Sequence, residues 1–174
     1  MKPFIGLKRI WYGEPLKEAP TKATLAEIIG GMTEIKNVHE GTWSYTQDDP
    51  STTDYINMLT GQPYYRDVTN AGNKTIAFTM GEYEFSDLVE FQGGTVLEQG
   101  AGWAADSTPQ LFYNSVIAQT KTGNFIIFSN AGIIAKTNAA EQNLGLGVTA
   151  VAMDSDEEGV AAEYRFKGDG ITVA

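Results

Sequence analysis

Apolar and polar residues alternate along most of the chain, and this pattern predicts a β-rich fold. The clearest alternation is at 74–81, where Ile76, Phe78 and Met80 occupy every second position. Further strands are predicted at 4–12, 34–47, 64–69, 95–105, 111–119, 125–128, 133–136, 144–153 and 160–166. Many short strands separated by turn residues are typical of two packed antiparallel sheets that form a sandwich or barrel.

Two segments have a helical period instead, so the expected class is mainly β (α+β) with one or two short flanking helices. Residues 21–29 place Leu25, Ile28 and Ile29 on one face, and a Gly-Gly pair follows. Residues 86–92 begin at Ser86 with acidic residues in the first turn and end at a second Gly-Gly pair.

The first twenty residues are expected to form an N-terminal arm. Pro15 and Pro20 interrupt the pattern there, and the remaining residues, 21–174, show no further domain boundary. We therefore predict an arm at 1–20 and a single domain at 21–174. The arm residues expected to contact a neighbouring protein are its large apolar side chains, Phe4, Ile5, Leu7 and Trp11.

Residues 48–63 form the longest stretch without a strand pattern. Asp48, Asp49 and Pro50 open it, and Asp54 is placed to cap one helical turn. That turn would carry Tyr55, Met58 and Leu59. Because loops of this length in compact domains are often functional, these residues are predicted to form a mobile assembly loop, the alternative being a flexible hairpin tip. The next segment, 64–69, is expected to pair with 74–81 across a turn at 70–73.

Composition excludes several function classes. The 174 residues are 42% hydrophobic, include no Cys and have one His, His39, which leaves no material for a disulfide scaffold, a thiolate metal site or a histidine triad. No apolar run approaches the roughly 20 residues that span a bilayer, so no membrane partner is expected. The N-terminal apolar run is interrupted by Lys8 and Arg9 and does not resemble a secretory signal. We expect neither an enzyme nor a cofactor.

Two motif matches have the wrong context for the sites they suggest. The acidic segment from Asp154 to Gly159 begins like a calcium loop, but its twelfth position is Arg165, where a bidentate Glu is needed. An acidic hairpin turn is the favoured interpretation. The glycine pattern at 145–150 lies in a strand-like segment and not before a helix, so close strand packing is favoured over nucleotide binding.

The net charge of −10 is unevenly distributed. Residues 1–38 carry six basic and four acidic groups, whereas the remaining residues carry six basic and eighteen acidic groups. Such a chain would repel DNA. The basic arm could dock on the acidic body of a neighbouring copy, or it could simply be a solvated surface segment.

Several segments, taken in order, resemble a known family. A Gly-terminated helix precedes TEIKNV at 33–38, and an acidic loop leads to GQPYYRDV at 61–68. KTIAFTM at 74–80, LVEFQGGT at 88–95, QTKTG at 119–123 and FIIFSNA at 125–131 follow. Over roughly residues 30–168 the chain is similar to the tail tube (major tail) proteins of tailed bacteriophages, which are related to type VI secretion tube proteins.

This resemblance implies a structural subunit of the virion tail that is made in the cytoplasm of the bacterial host. Copies would form hexameric rings that stack into a hollow tube, with tape measure and terminator proteins as further partners. DNA would pass through without specific binding, and no catalytic residues are implied. Some acidic residues are expected to line the channel. The leading candidates are carboxylates near a hairpin turn, and the outer rim is the alternative position for them: Asp154, Asp156, Glu157 and Glu158.

A ligand-binding β-sandwich, such as a carbohydrate-binding module, is the alternative from another class. It would use Trp43, Tyr45, Tyr64 and Tyr65 as a stacking platform. Secretion is the usual setting of such modules, and the sequence predicts none.

Overall fold

The computed structural model describes residues 2–108 and 110–173, which form antiparallel sheets with two short α-helices. The strands are β1 (Arg9–Gly13), β2 (Thr33–Ile35), β3 (Ser44–Gln47), β4 (Ser51–Ile56), β5 (Pro63–Asn70), β6 (Lys74–Met80), β7 (Thr95–Leu97), β8 (Gly102–Ala104), β9 (Phe112–Gln119), β10 (Phe125–Ala140), β11 (Asn143–Ala152) and β12 (Glu163–Phe166). The helices are α1 (Leu25–Gly30) and α2 (Phe85–Gln92). The predicted mainly β class is confirmed.

The main sheet has the order β2-β1-β9-β10-β11-β6-β3, with β12 also paired to β10. Strand β10 changes partner along its length, because its ladder is irregular between Phe128 and Ala131. Before this irregularity β10 pairs with β12, and after it β10 pairs with β11. The sheet therefore divides at this point into a β2-β1-β9-β10-β12 layer and a β10-β11-β6-β3 layer.

Side chains from both layers meet in one core cluster. Ile10 and Phe128 from the first layer join Phe78 and Val148 from the second, together with Phe91 of α2. These side chains are at most 3% exposed. Burial of apolar side chains at about 1.5–3 kcal/mol each is the main force that holds such layers together.

Helix α1 covers the outer face of the first layer. Successive residues of β1 point to opposite faces, so Ile10 enters the main core while Trp11 packs with Leu25 and Ile29 of the helix. The 21–29 pattern thus predicts the correct face for a helix that begins at Leu25.

The N-terminal segment differs from the prediction. Residues 9–13 form β1, which lies between β2 and β9 inside the sheet, and Trp11 is 2% exposed. Phe4 and Leu7 pack against the main core, whereas Ile5 is exposed. The assignment of Trp11 to an arm was wrong because the partner of β1, strand β9, lies about 110 positions further along the chain.

Other predicted strands have different bounds in the structure. The segment 34–47 is two strands, β2 and β3, and 95–105 is a β7–β8 hairpin. The segments 125–128 and 133–136 belong to one strand, β10. The close-packing interpretation of Gly145 is confirmed, since an added Cβ would lie 2.6 Å from the Thr79 Cγ2 atom.

Side chains connect the two outer strands, β3 and β12. The Tyr45 hydroxyl and the Lys74 ammonium both contact Glu163, and Arg165 contacts the same carboxylate. Over the described ranges no backbone ladder joins β3 to β12, so the fold is a sandwich and not a closed barrel.

Candidate assembly surface

A two-stranded hairpin, β4–β5, extends from the β3–β6 edge of the sandwich. Strand β3 pairs with the first half of β6, and after short connections β4 pairs with β5 from Thr52 opposite Val68 to Tyr55 opposite Tyr65. The four strands together form one long ribbon whose outer part is the hairpin.

The hairpin corrects two predictions. Asp54 was expected to cap a helical turn, but it lies within β4, where threonine, tyrosine and isoleucine favour an extended backbone. The segment 64–69 was expected to pair with 74–81, but it pairs with β4, since β6 is already flanked by β3 and β11.

The base of the hairpin depends on Gly72. This residue has φ +79°, and an added Cβ would lie 2.1 Å from the backbone oxygen of Asp48. A hydrogen bond from the Asp48 amide to the Asn73 carbonyl, 2.9 Å long, joins the two segments of the ribbon at the same level. Glycine is therefore required where the ribbon leaves the sandwich.

The tip of the hairpin is a hydrogen-bonded turn that presents two apolar side chains. The amides of Leu59 and Gly61 donate to the side-chain and backbone oxygens of Asn57, at 2.9 Å and 2.8 Å. Met58 is 96% exposed and Leu59 is 94% exposed. The turn holds both side chains in solvent, so their burial does not contribute to the stability of the subunit.

Every residue of β4 and β5 is exposed, on both faces of the hairpin. One face carries Tyr55 and Tyr65, whose ring centroids are 5.7 Å apart. The other face carries Val68 together with Asp54 and Arg66, which follows from the two-residue alternation of strands. Since large apolar side chains occur on both faces, the hairpin has two contact surfaces.

Asp54 and Arg66 face each other across the hairpin. The Arg66 Nη2 atom donates to Asp54 Oδ2 at 2.8 Å. This hydrogen bond lowers the pKa of Asp54 and raises the pKa of Arg66, so both groups are charged at neutral pH. An exposed pair of this kind fixes the strand register more than it adds stability.

The structure unites one predicted set of residues and separates the other. Asp48 and Asp49 lie exposed at the base of the same hairpin that carries Asp54, Tyr55, Met58 and Leu59. The predicted arm residues lie elsewhere: Phe4 and Leu7 are on the main core, Trp11 is on the α1 side, and Ile5 is exposed. The second strand, β5, was not predicted to take part in assembly, although its two tyrosines and one valine were a usable signal.

The four aromatic residues of the alternative platform do not share a surface. Trp43 and Tyr45 pack against the main core, and Tyr45 lies 6.2 Å from Phe128 between ring centroids. Tyr64 and Tyr65 lie on β5 of the exposed hairpin, outside the core against which Trp43 and Tyr45 pack. This arrangement does not favour a stacking platform.

Within residues 2–108 and 110–173, no cluster of three or more His, Asp or Glu side chains is arranged to hold a metal ion. No helix in these same ranges has the length and apolar character needed to cross a bilayer.

Comparisons with known proteins give no assignment. No protein-family model matches the chain, and no curated protein matches it significantly. The hairpin and the charge distribution of the chain are therefore the features that bear on function.

Proposed function

We propose that this protein is a self-assembling structural subunit that forms hexameric rings, and that the rings stack into a hollow tube of the phage tail-tube type. The observation that carries the proposal is the β4–β5 hairpin, which projects from a well-packed sandwich and exposes apolar side chains on both faces.

The energetics of the hairpin favour a protein partner. A two-stranded hairpin that lacks a third strand or a packed helix is marginally stable in water. Met58 and Leu59 are almost fully exposed in the subunit, and burial of each at an interface would contribute about 1.5–3 kcal/mol. Tyr55 and Tyr65 are about half exposed and would contribute less. Exposed apolar patches of this kind mark interaction sites.

Contacts on both faces favour a repeating assembly over a single partner. A hairpin that is apolar on one face needs one partner, but this hairpin would bury Tyr55 and Val68 only with neighbours on both sides. Subunits related by rotation around a ring, with a further ring above, supply such neighbours. Heterologous contacts of this kind close into rings or continue as filaments.

The charge suits a conduit for DNA. The net charge of −10 opposes binding to phosphates, so a duplex could move along the channel of such a tube without adhering. Under this proposal the tape measure and terminator proteins are further partners, and the assembled protein is located in the virion tail.

The tip of the hairpin provides the test. We expect wild-type protein at high concentration to form rings or tubes in negative-stain microscopy, and the Met58→Ser/Leu59→Ser variant to form neither, with an unchanged melting temperature. Leu97→Ser/Leu144→Ser is the matched control, because both leucines are exposed on the body of the subunit. A wild-type protein that never associates, or a tip variant that assembles normally, would contradict the proposal.

A further inference from the structure

Two clefts of opposite charge lie at opposite ends of strands β1 and β9. These strands are antiparallel, with Arg9 opposite Gln119 at one end and Gly13 opposite Ser115 at the other. Lys8 and Glu14, which flank β1, are six positions apart. At about 3.3 Å per residue, the two ends are separated by about 20 Å.

The basic cleft is lined by four basic side chains, Lys8, Arg9, Lys36 and Lys121, and one acidic side chain, Glu40. Its volume is about 560 Å³. Arg9 is paired with Glu34, at 2.7 Å from Nε to Oε1. The three lysines are exposed and make no ion pair with any side chain in the described ranges.

The acidic cleft has the reverse composition. It is lined by four acidic side chains, Glu14, Asp154, Asp156 and Glu157, and one basic side chain, Lys17. Its volume is about 480 Å³. The four carboxylates are exposed, and none is paired with a basic group of the described residues.

A buried acceptor in the acidic cleft is without a donor. Asn130 lines this cleft and is 9% exposed. Its Nδ2 donates to the backbone oxygen of Asp154 at 3.1 Å, but its Oδ1 atom is buried and has no hydrogen-bond partner among the described residues. A buried carbonyl oxygen left without a donor is costly, and a lysine ammonium brings three donors.

We propose that the basic cleft of one copy docks on the acidic cleft of a second copy, with a lysine directed toward Asn130. The inference deepens the proposed function, on which it rests, by naming the surfaces that join successive copies. Because the two clefts differ and lie at opposite ends of β1 and β9, the contact is heterologous and repeats along the direction of these strands. Opposite charges across such an interface select the register and the partner.

This docking also changes the role of the acidic turn. Asp154, Asp156 and Glu157 were the leading candidates to line a DNA channel, but their position in the acidic cleft assigns them to a contact between copies. Glu158 does not line the cleft and remains a candidate for the channel wall.

Two charge-reversed variants of the full chain test the docking. Lys8→Glu/Lys121→Glu reverses the basic cleft, and Asp154→Lys/Glu157→Lys reverses the acidic cleft. Each variant alone should associate at least about tenfold more weakly than wild type in sedimentation velocity at about 50 mM salt. An equimolar mixture should regain association, because each reversed cleft then meets a cleft of opposite sign.

Lys22→Glu/Lys167→Glu is the matched control, since it makes the same charge change at two exposed lysines outside both clefts. It should associate like wild type, and the wild-type association should weaken as salt is raised to about 500 mM. An equal loss in the control, or a mixture that does not recover, would overturn the inference.

The outcomes separate this inference from the proposed function. If wild type forms rings and tubes but the cleft variants do so equally well, the docking is wrong and the tail-tube function stands. If wild type forms only open chains that the cleft variants abolish and the mixture restores, the docking stands and the ring-forming function is wrong.

Discussion

The hydroxyl of Tyr45 on β3 donates a hydrogen bond to the carboxylate of Glu163 on β12, with 3.0 Å between the two oxygen atoms. The Glu163 side chain is 6% exposed and also contacts Lys74 and Arg165, at 2.5 Å and 2.7 Å. One carboxylate therefore connects the outer strands of the two layers, which no backbone ladder joins within the described ranges.

We expect Glu163→Gln to lower the free energy of unfolding by about 1–3 kcal/mol, because Lys74 and Arg165 lose their shared anion. Urea denaturation followed by fluorescence measures this loss. Glu158→Gln is the matched control, since Glu158 is exposed, and it should change stability by less than about 0.5 kcal/mol. Equal stability of the two variants would show that the cluster contributes nothing.

The same carboxylate predicts acid sensitivity. Burial raises the pKa of Glu163, but hydrogen bonds from Lys74, Arg165 and Tyr45 outweigh burial, and the pKa is lowered in the folded protein. The resulting stabilisation is present above the unfolded value of about 4.3 and is lost as pH falls through the folded pKa. Denaturation between about pH 6 and pH 3 should show wild type converging on Glu163→Gln at low pH. A constant difference over this range would contradict the assignment.

Trp11→Ala should destabilise the subunit by about 3–5 kcal/mol, because Trp11 fills the space between β1 and α1. Ile5→Ala is the control from the same segment, and it should cost little because Ile5 is 55% exposed. Thermal unfolding of the two variants measures the difference. If both were tolerated equally, residues 1–20 would behave as an arm after all.

Gly72→Ala should distort the base of the hairpin, because the new methyl group would collide with the Asp48 carbonyl. Gly61→Ala is the matched control: Gly61 also has positive φ, at +67°, but has open space around it. We expect hydrogen exchange at 51–70 to accelerate much more in Gly72→Ala than in Gly61→Ala, while the sandwich remains protected. Similar exchange in both variants would show that the close approach is unimportant.

Hydrogen exchange also tests the role of the hairpin in the wild type. Its strands are exposed on both faces, so amides at 51–56 and 64–70 should exchange much faster than those of β9 in the monomer. Assembly should slow exchange at these positions selectively. Unchanged exchange in assembled protein would mean that the hairpin remains in solvent.

Local sequence patterns predicted those strands and helices whose structure is determined by residues close to one another in the sequence. Strand β6 alternates regularly, and α2 has a capping box formed by Glu84 and Asp87 and ends at Gly93. Both were predicted at nearly their observed positions. The strand predicted at 111–119 likewise lies close to the observed β9.

Elements defined by distant partners were not predictable in this way. The short apolar pattern of β1 is also typical of an extended arm. Only the pairing of β1 with β9 shows that it is a strand of the sheet. Strand β4 is polar and follows Asp49 and Pro50, so its signal resembled a loop, and only its pairing with β5 makes it a strand. The opposed clefts combine residues from the start, middle and end of the chain, which no single window of sequence contains.

The position of β1 has a consequence for biosynthesis. The β4–β5 hairpin is complete once residue 70 has been made, but β1 cannot enter the sheet before β9, more than 100 positions after it, has left the ribosome. The acidic cleft needs residues 154–157 as well, so it forms later still. Under the proposed docking, a nascent chain would therefore expose its hairpin before either of its two clefts is complete. Ordered docking between unfinished chains on one polysome would then be disfavoured.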